Sequence, residues 1–467
     1  MSEPPRTNWT AFAAIALGTL VGPLDSAVNV AFPSITTAFG VPQSAIQWVI
    51  ACYVITHATF LLIFGRAGDL FGHLMMFRIG LAICALAFLG AGMAQSFEML
   101  LAARALQGVG AAMVLSCGPA LATSVFEDSQ RVRALGGYSA VFGLGMTIGP
   151  LLAGVMVVAW GWPAVFWFRL PLSLVAFVLT LLIAMPGQTL AAGRFDLVGA
   201  IALAAGLCAV LIGISRVRYG ALGTIEIVAY AAVIAGAGAA LRLARGNRDG
   251  AVVALSMFRN ADLMLVTLTG VAVNLVGFAV MLLVPYYLVR MTALPLAMSG
   301  LVLAAGPFGI VVGGHCGPAL IRLAGAKLTA FAGTAIVAAG TAWIGTWQPD
   351  MALVPMAVPA FLHGIGLGLY QVAQLDISTS VLARQDRGVA GSLVMVTRTL
   401  GILLGASALT ALFVLFEARA VDHRAANVFL WAFQTTFLVA AGALAAFLAF
   451  TLMRPANWFG RVNSSIG

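Results

Sequence analysis

The chain is 467 residues long, 62% hydrophobic and only 8% charged, with a mean hydropathy of +1.05. Soluble domains average roughly 45–50% apolar and about 25% charged residues, so the composition excludes a soluble globular protein and points to one continuous membrane bundle. The formal net charge of +9 would favour nucleic acid in a soluble chain, but every basic residue except Lys327 is an arginine, most stand in short loops, and no basic run is interleaved with aromatics, so nucleic acid is excluded as a partner.

A helix needs about 20 mainly apolar residues to cross the hydrocarbon core. Residues 1–8 are polar, and the apolar stretch 10–32 that follows is too long for a cleavable signal, so it reads as an uncleaved first span carrying Asp25 and Asn29. Next come spans at 45–64 with His57, 74–94, 98–123 with Arg104, 134–158, and 164–185 with Arg169 near its start. The fifth is punctuated by Gly136, Gly145, Gly149-Pro150 and Gly154; proline removes a backbone bond and bends the helix, and small residues let a neighbour's backbone approach. A middle pair follows at 197–215 and 223–243. The last six lie at 260–289 with Asn274, 298–321 with His315, 327–346, 351–378 with His363, Gln371, Gln374 and Asp376, 388–416 with Arg398, and 427–453. The reading is an all-α integral membrane protein of 14 helices arranged 6+2+6: an N-terminal six-helix bundle over 1–190, two inserted central helices with a cytoplasmic loop over 191–255, and a C-terminal six-helix bundle with a cytoplasmic tail over 256–467.

Placing both termini in the cytoplasm puts Arg66, Arg78, Arg131, Arg133, Lys327, Arg384 and most other basic residues inside, and leaves only Arg216, Arg218, Arg290, Arg419 and Arg424 outside. That asymmetry of roughly three to one is what the positive-inside rule demands, and adding or dropping one span scrambles it. A faint internal repeat accompanies it. Asp69-Leu70-Phe71-Gly72 is matched by Arg322-Leu323-Ala324-Gly325, and Arg133-Ala134-Leu135-Gly136-Gly137 by Arg387-Gly388-Val389-Ala390-Gly391, at an offset of roughly 254 residues with the same membrane orientation. Parallel six-helix halves with a site between them are a transporter plan.

Ionisable groups at bilayer depth cost roughly 2.5–3.5 kcal/mol on insertion scales, so they usually face a cavity and carry function. Asp25 lies about 22 Å from the inner surface at 1.5 Å per residue. Arg104, entering from the other side, reaches a similar depth, so an Asp25–Arg104 pair is geometrically possible. Burial and a guanidinium act on a carboxyl's protonation in opposite senses. A contact that changes during transport then makes Asp25 a proton-loading site; the competing reading is a static ion pair that fixes helix packing. Arg398 has two readings, carbonyl hydrogen bonding or a substrate contact. Arg169 reads as a snorkelling cation near a span end, and Asp376 as a solvated boundary carboxylate. His57, His315 and His363 are packing histidines or proton relays, and Asn29, Asn274, Gln371 and Gln374 line a cavity or bond between helices.

The cysteines Cys52, Cys84, Cys117, Cys208 and Cys316 all fall in apolar stretches without CxxC pairs or histidines at ligand spacing, and read as buried packing residues, not metal ligands. No nucleophile–base pair or Walker sequence stands out, so neither an enzyme nor an ATP-driven pump is expected.

The motifs resemble the major facilitator superfamily, in particular its 14-span drug:proton antiporter branch. The first span holds Leu24-Asp25-Ser26-Ala27-Val28-Asn29-Val30-Ala31-Phe32-Pro33, similar to that branch's first-helix motif. Gly65-Arg66-Ala67-Gly68-Asp69-Leu70-Phe71-Gly72-His73 is similar to the superfamily's cytoplasmic loop motif, Arg104-Ala105-Leu106-Gln107-Gly108-Val109-Gly110-Ala111-Ala112 to its fourth-helix motif, and Gly145 to Gly154 with Gly136 upstream to the fifth-helix antiporter motif. The resemblance implies that Asp25 and Arg104 couple protons, that Gly65, Arg66, Asp69, Gly72 and Arg78 form a cytoplasmic latch, and that the Gly149-Pro150 bend seals against leak. As polar residues within apolar spans, Asn29, His57, Asn274, His363, Gln371 and Arg398 are the residues assigned to a substrate cavity. Departures are His73-Leu74-Met75 where two basic residues usually close the loop motif, with Arg78 as a partial substitute, and Arg169 where the branch usually has Asn. One deep carboxylate against Arg104, Arg169 and Arg398 favours neutral, monocationic or anionic amphiphiles over dications.

The expected function is therefore a proton-coupled antiporter exporting amphipathic compounds or drugs by alternating access. It would act as a monomer in a bacterial inner membrane, with protons as coupling ion and no other cofactor. A dedicated exporter or importer of one metabolite, lipid or siderophore is the rival, and a non-transporting receptor or scaffold a remote one.

Overall fold

The computed structural model describes residues 8–126, 131–182, 205–206, 209, 235–236, 260–381, 387–422, 427–454 and 456–460. Among them the chain is all-helical, and 12 helices are long and apolar enough to cross a membrane. Their bounds follow the sequence reading closely, from Trp9–Val30 through Ala164–Leu182 and from Ala261–Met291 through Val428–Thr451. The middle pair expected at 197–215 and 223–243 lies outside the described residues, so 12 spans, not 14, are established. Apolar side chains such as Val158, Leu182 and Phe450 are more than 60% exposed, which hydrocarbon solvates and water does not.

The chain divides into two units, Met1–Arg248 and Asp249–Gly467. Unit 1 begins with α1 (Trp9–Thr19), a 3-10 turn (Pro23–Ser26), α2 (Ala27–Val30) and α3 (Phe32–Phe39). It continues with α4 (Gln47–Phe71), α5 (His73–Gly92), α6 (Phe97–Ser124), α7 (Arg131–Trp160), α8 (Ala164–Trp167) and α9 (Arg169–Leu182). Unit 2 holds α10 (Ala261–Met291), α11 (Leu296–Ala324), α12 (Ala326–Ile344), α13 (Leu353–Val381), α14 (Arg387–Asp422), α15 (Val428–Thr451) and the short α16 (Ala456–Phe459).

The first span differs from the straight helix expected over 10–32. Pro23 has no amide hydrogen to continue the ladder, so Gly22 N–H bonds back to Thr19 and Asp25 N–H to Gly22, the tighter three-residue closure. The break sits where Asp25 is. The fifth span, by contrast, runs through Pro150 as one helix.

The repeat, faint in sequence, is plain in packing. In unit 1, α4 packs on α6, α5 on α6 and α9, and α7 on the 3-10 turn; in unit 2, α11 packs on α13, α12 on α13 and α15, and α14 on α10. Each unit also has a reciprocal glycine crossing. A Cβ on Gly80 would lie 2.8 Å from the Gly110 carbonyl oxygen and one on Gly110 2.8 Å from that of Gly80; Gly333 and Gly366 stand the same way at 2.8 and 2.6 Å. The corners between α4 and α5 and between α11 and α12 are turned by Gly72 (φ 101°) and Gly325 (φ 86°), a region L-residues avoid.

Lys327 is no loop cation: it lies on α12, buried, and pairs with Asp262 of α10 at 2.8 Å. Cys84 and Cys117 are buried as expected, whereas Cys316 is on the exposed face of α11, because that helix turns the face outward.

Candidate functional site

Asp25 and Arg104 meet. Arg104 donates from Nη1 to Asp25 Oδ1 at 2.5 Å and from Nη2 to Oδ2 at 2.8 Å, the paired-fork geometry that Arg makes with a carboxylate. Its Nε donates to the Val49 carbonyl of α4 at 2.8 Å, and its guanidinium lies 4.6 Å from the centre of the Tyr53 ring. Gln107, one helical turn along α6 on the same face, donates to Asp25 Oδ1 at 2.8 Å and accepts from Arg104 Nη1 at 2.6 Å. The close crossing of α4 and α6 at Gly108, where a Cβ would lie 2.5 Å from the Tyr53 carbonyl oxygen, brings Tyr53 under Arg104.

A second cation completes the site, and it corrects the snorkelling reading. Arg169 is fully buried and donates from Nη1 to Asp25 Oδ1 at 2.8 Å and from Nε to the Val165 carbonyl at 2.9 Å. Its guanidinium rests 4.5 Å from the Phe88 ring centre and 5.3 Å from that of Phe166, while Nη2 has no hydrogen-bond partner. The reason is local. The chain turns at Gly161 (φ 77°), Ala164, Val165 and Phe166 of α8 are buried, and Arg169, which opens α9 directly after them, is buried with them.

The cluster therefore holds one carboxylate against two guanidiniums, a formal charge of +1 with Asp25 ionised. The Asp25 side chain is the open member, 16% exposed against 1% and 0% for its partners. A buried charge is tolerated only when paired and hydrogen-bonded, and every charged group here has such partners. A carboxylate is chemically able to take up or give up a proton, and the guanidiniums that face it set how readily it does so.

The other sequence candidates scatter. His57 stacks on Tyr53 at 5.7 Å, one ring from the cluster. Asn29 is half-buried on α2. In unit 2, Asn274 donates to the Gly270 carbonyl of its own helix at 2.8 Å, and His363 Nδ1 meets the Thr341 hydroxyl at 3.0 Å. Gln371 and Arg398 are half-buried, Gln374 is buried, and Asp376 and His315 are exposed. Arg78 donates to the Thr180 carbonyl of α9. Gly65 and Gly72 sit at the end of α4, while the side chains of Arg66 and Asp69 lie outside the described part. Gly145, Gly149 and Pro150 are buried on α7 against the first span, Gly154 is buried further along, and Gly136 lies near the start of that helix.

The sequence matches the family described as the Major Facilitator Superfamily over residues 14–406. The chain belongs to that superfamily. It is a multi-pass membrane transporter, and the relatives it resembles include named drug and antibiotic exporters. It is 32% identical to the cephamycin export protein CmcT of Amycolatopsis lactamdurans, over 82% of this chain and 80% of that protein. It is 28% identical to the multidrug resistance protein Stp of Mycobacterium tuberculosis (strain CDC 1551 / Oshkosh), over 86% and 75%, and 26% identical to the riboflavin transporter RibZ of Clostridioides difficile (strain 630), over 90% of each. In this major facilitator chain the Arg169–Asp25 bond is an addition to the pair its motifs implied.

Proposed function

We propose that the chain is a proton-coupled antiporter that exports small amphipathic compounds or drugs by alternating access, with Asp25 as the proton-carrying group and Arg104 as its relay partner. The observation that carries this reading is a carboxylate clamped by Arg104, Gln107 and Arg169 in a break of the first span. An ion pair set at bilayer depth is costly, and its retention is accounted for when the carboxylate must exchange partners during a cycle. The exporters among its relatives support the direction of transport.

The finer architecture belongs to the same proposal: 14 spans as 6+2+6, bundles over 1–190 and 256–467 joined by two central helices over 191–255, both termini cytoplasmic, and a monomer in a bacterial inner membrane. Gly65, Arg66, Asp69, Gly72 and Arg78 form the cytoplasmic latch, and Asn29, His57, Asn274, His363, Gln371 and Arg398 line the substrate path. The +1 cluster selects neutral, monocationic or anionic amphiphiles over dications, because a dication gains little beside two guanidiniums.

The test is transport in proteoliposomes with and without an imposed proton gradient. The gradient accelerates substrate movement in the wild type, and Asp25→Asn abolishes that acceleration while the protein stays monodisperse. Equal rates with and without the gradient refute coupling. A second reading, a dedicated carrier of one metabolite, rests on the similarity to the riboflavin transporter across 90% of both chains. Transport of a single compound, with no competition from structurally unrelated drugs, favours that reading.

A further inference from the structure

The α7 glycines stand directly behind the 3-10 turn that bears Asp25. A Cβ on Gly145 would lie 2.7 Å from Pro23 Cγ and 3.1 Å from Leu20 Cδ2; one on Gly149 would lie 2.5 Å from Ser26 Oγ and 3.2 Å from the Ala27 nitrogen. Between them the Ser26 hydroxyl is within 3.0 Å of the Pro23 carbonyl and 3.1 Å of the Met146 carbonyl, so it ties the turn to itself and to α7. Ser26 is the residue after Asp25.

We propose that Gly145 and Gly149 form a socket that seats the Pro23–Ser26 turn and thereby sets the position of the Asp25 carboxylate against Arg104 and Arg169, making both glycines positioning residues for coupling. The proposal rests on the reading of Asp25 as the proton-carrying group. The turn has lost part of its helical ladder at Pro23, so its place depends on what it packs against, and α7 is the helix it packs on most extensively. On its far side the carboxylate is held by bonds of 2.5–2.8 Å, so a displacement of a few tenths of an ångström is felt there.

Unit 2 supplies the comparison. Gly401 and Gly405 of α14 approach α10 as closely: a Cβ on Gly401 would lie 2.6 Å from Asn274 Cβ and one on Gly405 2.6 Å from the Leu275 carbonyl oxygen. There the partner is an unbroken helix, and Asn274 is bonded within it. Glycine pairs thus join these helices in both units, but only in unit 1 do they bear on a broken segment that carries an ionisable group.

The experiment follows the infrared carbonyl band of the protonated Asp25 carboxyl, assigned by its loss in Asp25→Asn, as a function of pH in full-length protein. Gly145→Ala pushes on a pyrrolidine ring that cannot rotate away, and its band midpoint moves by at least about half a pH unit. Gly149→Ala, the milder change because the Ser26 hydroxyl can swing aside, moves it less; since Ser26→Ala removes both that collision and the tie to Met146, the double variant is compared with Ser26→Ala alone, from which it differs by less than Gly149→Ala differs from wild type. Gly442→Ala, which meets nothing within 4 Å, leaves it unchanged. Should Gly145→Ala fail to fold, Gly149→Ala in the two backgrounds carries the test. A midpoint unmoved in the folded glycine variants, or a Gly149→Ala shift that is as large in the Ser26→Ala background as in wild type, overturns the socket. Gradient-driven transport retained by Asp25→Asn removes the coupling reading instead, and leaves the infrared result standing on its own.

Discussion

Asp25 Oδ1 accepts three hydrogen bonds and Oδ2 one, and the donors come from side chains on α6 and α9. Because the Arg104 fork and its Nε bond to Val49 both need a planar guanidinium, Lys cannot replace it. Arg104→Lys is therefore expected to lose gradient-driven transport nearly as fully as Arg104→Ala, which a proteoliposome assay of the two variants side by side checks. Arg169→Asn removes one of the two positive charges, so the transport rate of a dication relative to a monocation of similar size is expected to rise; an unchanged ratio would separate Arg169 from selectivity. Asp25 and Arg104 were legible in the sequence because a charge in an apolar run has few innocent explanations. Arg169 was not, because a place near a span end suggests a snorkelling side chain, whereas it is buried against Phe88 and bonded to Asp25. Gln107 was missed because a neutral amide in a membrane helix has an ordinary alternative, and only its place one turn from Arg104 on the same face marked it.

At the scale of helices, glycine contacts decide how closely pairs approach. Gly80→Ala and Gly366→Ala each drive a methyl into a backbone carbonyl that cannot yield cheaply, at a cost of about 1–3 kcal/mol. A thermal-shift measurement is expected to show both variants clearly below wild type and Gly442→Ala indistinguishable from it. Lys327→Met removes the 2.8 Å ion pair to Asp262, and breaking a buried pair costs up to about 3–5 kcal/mol; Asp262→Leu added to it recovers part of the loss. These elements were read well by hydropathy, since length and apolarity are what a bilayer selects. The break at Pro23 and the depth of Lys327 were not, because both depend on neighbours that hydropathy does not see.

For the whole molecule, the offset of roughly 254 residues carried more than the two short motif matches suggested. It recurs in the corner glycines Gly72 and Gly325, in the glycine crossings, and in the order of helix pairing within each unit. Reporter fusions test the topology proposed for the undescribed middle: a fusion in the segment 216–222 is expected to report the outside, and fusions at both termini the cytoplasm. The central claim is that substrate and proton exchange at Asp25. It is tested most directly by the protons released into weakly buffered solution when substrate is added to purified protein. At a pH where the infrared carbonyl band shows Asp25 protonated, wild type is expected to release about one proton per substrate bound and Asp25→Asn none, since linkage makes competing ligands displace each other; undiminished release from Asp25→Asn would contradict the account.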